Sequence, residues 1–209
     1  MVAAVDRTAA QGRGRGRGRG PGRGPRGGPR GVSLRRTTLI APKDWWPPMP
    51  PGVGPVHSME LLPGEVSSVG DVPSGVARVF SFVHDTAYYH LEDLYDEAVA
   101  SMDPNNFMHV LRQHPFHVDS LLALSKVHRA HGEGESALDM LERAIYAMEC
   151  AAHAMFDLAN GRSRIDGRRD VNRPFFQAVH QYASAISRKG CHRSALEICK
   201  VGLRGEREE

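Results

Sequence analysis

Across the second half of the chain, apolar residues recur at spacings of three and four, the period of one helix face. The stretch DTAYYHLEDLYDEAVASM, residues 85–102, puts Tyr88, Leu91, Tyr95, Ala98 and Met102 on one side. Glu92, Asp93, Asp96 and Glu97 fall mostly elsewhere. Asp103-Pro104 then offers an N-cap and a proline at the first helical position, predicting a short helix to about Arg112. His114-Pro115 breaks it. VDSLLALSKVHRAHG (118–132) and ESALDMLERAIYAMECAAHAMFDLANG (135–161) each carry an apolar stripe and end at a glycine, Gly132 and Gly161. A polar loop, RSRIDGRRDVN, precedes two more helical stretches, RPFFQAVHQYASAISRKG and SALEICKVGL. No segment shows convincing period-two alternation, so the expected fold class is all-α.

Two of these helix pairs match each other. Leu121, Leu124, His128, Gly132, Ala137, Leu141 and Ala144 are separated by 3, 4, 4, 5, 4 and 3 positions. Val179, Tyr182, Ile186, Gly190, Ala195, Cys199 and Gly202 repeat those offsets 58 residues later. Apolar knobs, a tight glycine turn and a small residue at the helix crossing resemble a tetratricopeptide unit. The regular period of such units is 34 residues, so the expectation is a helical-hairpin, tetratricopeptide-like scaffold with an insertion, not a regular array. Cys199, on a core position of this pattern, is expected to be buried.

The remaining chain is different in kind. Residues 1–36 form an Arg/Gly-rich tail that cannot bury a core, and 37–79 read as an irregular Pro/Gly-rich arm. The helical domain spans 80–203, followed by a charged tail, 204–209. The arm contains APKDWWPPMPPG, with both tryptophans of the chain, Trp45 and Trp46. Its prolines exclude a helix and most sheet pairing. Two indoles bring a large apolar area, so one of them is expected to dock on the helices, unless the segment serves as a ligand for a partner.

Charge divides the same way. The tail holds 10 Lys+Arg and one acid; residues 37–209 hold 17 Lys+Arg and 23 acids. A basic tail thus precedes a mildly acidic body. Arg13, Arg15, Arg17 and Arg19 form a flexible polycation suited to weak RNA contact. Arg162, Arg164, Arg168 and Arg169 form a second candidate RNA contact, interrupted by Asp166 and Asp170. Three cysteines without a CxxC suit a reducing compartment. No apolar run suggests a signal peptide or membrane span.

Candidate chemistry is sparse. His114 and His117, and His128 and His131, have suggestive spacing, but Pro115 separates the first pair from any regular helix, and the second has no nearby Cys or carboxylate cluster to complete a ligand set. No phosphate loop and no nucleophile elbow occur. The expectation is no catalytic residue, no metal and no cofactor.

TLIAPKDWWPPMPPG, SME, DTAYYHLEDLYDEAVASMDPNN, HPFHVDSLLALS, ALDMLERAIYAME, NRPFF and GCHRSALEICK stand in one ordered series over about residues 38–201. This series resembles the transcription factor 25 (nuclear localised protein 1) family, which includes yeast ribosome quality control complex subunit 1. The resemblance implies a helical, repeat-like, non-enzymatic adaptor of the ribosome quality control complex. It implies partnership with the 60S ribosomal subunit, a Listerin-type E3 ubiquitin ligase and an AAA ATPase segregase. A cytoplasmic, ribosome-associated location would follow. The family was also described as a transcriptional repressor, implying a nuclear alternative, but the GR repeats cannot form the basic helix of a helix–loop–helix protein. Family members continue beyond the point where this chain reads VGLRGEREE, so the chain is expected to be a partial member.

Overall fold

A computed structural model describes residues 39–49, 57–62, 78–157 and 163–205. Its elements run β1 (His57–Leu61), β2 (Arg78–His84), α1 (Thr86–Ser101), α2 (Pro104–Gln113), α3 (Val118–Ala130), α4 (Gly134–Ala151), β3 (Ser163–Ile165), α5 (Arg173–Arg188) and α6 (His192–Gly205), with a 3-10 turn, Asp170–Asn172, before α5.

The helix boundaries follow local chemistry. Asp85 caps α1 by accepting the Tyr88 N–H at 3.0 Å, and Asp103 caps α2 by accepting the Asn105 N–H at 2.9 Å. Pro104 opens α2, where its missing N–H costs nothing. Helix α1 ends at Met102, in a left-handed conformation that turns the side chain out to solvent instead of onto the apolar face. Gly132 and Gly190 close α3 and α5 with φ near +82° and +83°. In both turns the next residue's N–H reaches five residues back, Glu133 to His128 at 2.9 Å and Cys191 to Ile186 at 3.1 Å. Both are Schellman-type closures, for which glycine is the unstrained residue.

The body is mostly helical, but it is not all-α. Strands β1 and β2 pair antiparallel, with Met59 opposite Phe82, and β2 pairs parallel with β3, with Phe80 opposite Ile165. The central strand β2 carries Val79, Phe80, Ser81 and Phe82, all buried. A strand covered on both faces has no polar positions to alternate with, which is why a period-two reading passes over it. The stretch read as an irregular arm therefore supplies β1 and the first two residues of β2, and the span read as helical supplies the rest of β2 and β3. A second correction concerns α4, expected to run to Gly161. It stops at Ala151, and Ala152 turns to φ −59°, ψ 141°. The exit lets Phe156 meet Phe80 edge-on at 5.2 Å and His153 meet it at 5.8 Å. Covering the strand thus overrides the helical propensity of the following residues.

The core runs between α3, α4, α5 and the sheet, around Leu121, Leu141, Ile145, Phe80, Ile165 and Val179. Of the paired positions in the two hairpins, Leu121, Leu124, Ala137, Leu141, Ala144, Val179 and Ala195 are buried. Tyr182 is half-buried, and Gly132 and Gly190 form the turns. Cys199 is exposed, contrary to its expected burial. Helix α6 rests on α5 and touches β3, and among the described residues nothing covers the side that carries Cys199, Leu196 and Leu203.

Candidate functional site: the arm platform on α4, the arginine loop and an acidic corner

The arm residues 39–49 lie along α4, and four of its side chains hold them. The Glu149 carboxylate accepts the backbone N–H groups of Leu39 at 2.7 Å and Ile40 at 3.0 Å. These are charge-assisted bonds to a segment with no ladder of its own. Lys43 reaches Asp139 at 2.8 Å and also pairs with Glu142. The Trp46 indole N–H donates to both Asp139 oxygens, at 3.1 and 3.2 Å. Its ring lies 5.5 Å from Tyr146, which in turn lies 6.1 Å from Phe116.

The two tryptophans have opposite environments. Trp46 is 7% exposed and Trp45 is 73% exposed. Trp45 still directs its N–H at Asp139, at 3.3 Å, and Lys43 stands over both indoles, 5.2 and 5.4 Å from the ring centres. Burial alone would raise the Asp139 carboxyl. The hydrogen bonds from Lys43 and Trp46 outweigh it and hold the group below its ordinary value of 3.8. Lys43 is raised above 10.5, burial being opposed by Asp139 and Glu142. The result is a fixed apolar and cationic ledge, with one indole buried in it and one offered to solvent.

The arginine loop is anchored by its acids and by Asn172. Asp166 is buried and accepts the Arg168 N–H at 3.1 Å, while Arg169 pairs with it at 3.5 Å. Asn172 is fully buried: its Oδ1 accepts the Phe82 N–H at 2.9 Å and its Nδ2 donates to the Asp166 carbonyl at 2.6 Å. It continues the hydrogen bonding of β3 along β2 with a side chain. Arg164 lies half-buried on β3, and the side chains of Arg168 and Arg169 are exposed. Arg13, Arg15, Arg17, Arg19 and Arg162 lie outside the described residues. The structure thus keeps two arginines of this group at the surface and half-buries a third.

A third constellation escaped sequence reading. A ring nitrogen of His117 and carboxylate oxygens of Glu92 and Asp119 lie within 4.8 Å of one another. Glu92 comes from α1 and the other two from the start of α3, so no spacing along the chain links all three. The signal that could have found it is Glu92, one helical turn beyond the inward Tyr88. Burial, then His114 and His84, push His117 down to about 4. Burial raises Asp119 despite the Tyr88 hydroxyl that donates to its Oδ2 at 2.7 Å. Burial and Asp119 raise Glu92. His84 stacks on Tyr88 at 4.0 Å and is lowered by burial.

Comparison with known proteins places these features. Residues 80–204 match the family model described as transcriptional repressor TCF25. The human ribosome quality control complex subunit TCF25 is 40% identical over 174 residues, which is 83% of this chain and 24% of that protein. Ribosome quality control complex subunit 1 of Schizosaccharomyces pombe is 29% identical over 169 residues, 81% of this chain and 24% of that protein. The probable transcription factor claV of Ampulloclitocybe clavipes is 37% identical over 105 residues, half of this chain and 13% of that protein. No solved structure matches the chain. The chain spans about a quarter of the length of the curated relatives named as ribosome quality control subunits that match most of it. With the family model covering α1 through α6 and the arm joined to those same helices, the chain belongs to the TCF25 family.

Proposed function

We propose that this segment is a non-enzymatic adaptor of the ribosome quality control complex, assisting ubiquitin-dependent degradation of stalled nascent chains on 60S subunits. The observation that carries the reading is the 40% identity, over 83% of the chain, to a human protein named as a subunit of that complex. Its partners would be the 60S ribosomal subunit, a Listerin-type E3 ubiquitin ligase and an AAA ATPase segregase. Its location would be cytoplasmic, on the ribosome. Trp45 on its ledge is the protein-docking candidate. Arg164, Arg168 and Arg169, with Arg162 and the tail arginines, are the RNA-contact candidates.

We further read the body as a tetratricopeptide-like scaffold. In support, the two hairpins share more than spacing. Gly132 and Gly190 have matching backbone, and Ala137 and Ala195 each donate at 3.0 Å to the carbonyl four residues back. Gly202, at the position matching Ala144, packs beside Val179, where an added Cβ would stand in ordinary contact at 3.4 Å.

A second reading, a nuclear transcriptional regulator, is favoured by the family description and by the name of the fungal relative. An affinity pull-down of the full chain from ribosome-stalling cells separates them. Enrichment of 60S proteins, the ligase and the segregase supports the adaptor. Enrichment of chromatin proteins alone supports the regulator, and enrichment of neither class removes both.

A further inference from the structure

The acidic corner between α1 and α3 has a feature that packing does not account for. His117 is 2% exposed. Its Nδ1 meets the Ser120 hydroxyl at 2.8 Å, but its Nε2 is buried without a hydrogen-bond partner. Buried polar atoms are almost always satisfied, so an exception calls for a reason. The Ser120 backbone N–H also donates to Nδ1 in a long bond of 3.4 Å that caps α3. The Ser120 hydroxyl can donate or accept, and when it accepts from Nδ1–H the lone pair of Nε2 is bare.

Two carboxylates share this corner with that imidazole. Glu92, Asp119 and a His117 ring nitrogen fall within 4.8 Å of one another. The groups acting on them are His84 from β2, Tyr88, Asp93, Tyr95 and Asp96 from α1, His114 from the turn before α3, and Lys126 from α3. Lys126 is the one fixed cation in that set, and the others are acids, phenols and imidazoles. Two acids drawn together beside a neutral imidazole form a site short of positive charge.

We propose that Glu92, His117 and Asp119 form a binding site for a divalent transition cation of the Zn²⁺ type. One imidazole and two carboxylates make a mixed nitrogen–oxygen donor set, which suits Zn²⁺ better than the all-oxygen set preferred by Mg²⁺ or Ca²⁺. Tetrahedral coordination with bonds near 2.1 Å brings donors to about 3.4 Å apart. Glu92 is half-buried on a helix face, and rotation of its long side chain closes that gap. The outer contacts are already of the kind that orient metal ligands: Tyr88 holds one Asp119 oxygen at 2.7 Å, and Ser120 holds the His117 ring through Nδ1 at 2.8 Å. Water completes the coordination.

The test is calorimetric titration of the full chain with ZnCl₂, alongside Glu92→Gln and Asp119→Asn. Both variants keep side-chain shape and every histidine of the chain, so adventitious histidine binding is the same in all three. Circular dichroism establishes that each variant is folded. The expected result is one tight equivalent of Zn²⁺ in the wild type, weakened about 10–100-fold in each variant, and no comparable binding of MgCl₂. Equal Zn²⁺ affinity and stoichiometry in wild type and both variants would overturn the proposal. So would a wild type that binds no Zn²⁺.

Discussion

Trp45 and Trp46 are adjacent in sequence and perform different work. Trp46 fills the space beside Tyr146 and binds Asp139, so its loss leaves a cavity and removes one of the three donors to that carboxylate. Trp46→Ala should lower stability by about 3 kcal/mol, the range for truncating a buried aromatic. Trp45→Ala should change it by less than about 1 kcal/mol, because most of that side chain is in water. Chemical denaturation of the two variants checks the contrast; equal losses would contradict the assignment. Asp139 adds a pH dependence. Its folded value lies below its unfolded value near 3.8, so its contribution is present above that pH and lost as pH falls through the folded value. The arm should therefore stay docked from neutral pH down to about pH 4 and loosen below it. A red shift of tryptophan emission on acidification, absent in Asp139→Asn, reads this out.

At the scale of elements, much was legible from sequence. Asp85, Asp103, Pro104, Gly132 and Gly190 mark helix ends by local chemistry, and the helices lie where they point. What local reading missed has one physical cause, long-range packing. Strand β2 is buried on both faces, so Val79 through Phe82 show no alternation. Helix α4 stops early because Phe156 and His153 are used to cover Phe80. Asn172 looks like a loop residue, yet its side chain joins the loop to β2, more than 80 positions upstream. The acidic corner was hidden for the same reason, its ligands lying on two helices. Asn172→Ala removes the bonds to Phe82, Ser81 and the Asp166 carbonyl in a fully buried place. It should cost about 2 kcal/mol and raise hydrogen exchange at β2 and in the loop around Asp166 first. An unchanged exchange pattern there would contradict the anchoring role.

At the scale of the molecule, the arm and the helices form one surface. Glu149, Asp139 and Glu142, all on α4, hold the arm through its backbone, its lysine and its tryptophan. Three acids of the body are thereby used on the arm. In the adaptor reading, the folded body carries the complex-specific contacts, and the tail adds affinity that falls with salt. The most direct test is sedimentation of the full chain with ribosomal subunits from ribosome-stalling cells. The adaptor reading predicts co-sedimentation with 60S subunits, kept when residues 1–36 are deleted and lost when 80–203 are deleted. Exclusive chromatin association, with no 60S signal while the ligase is present, would contradict it.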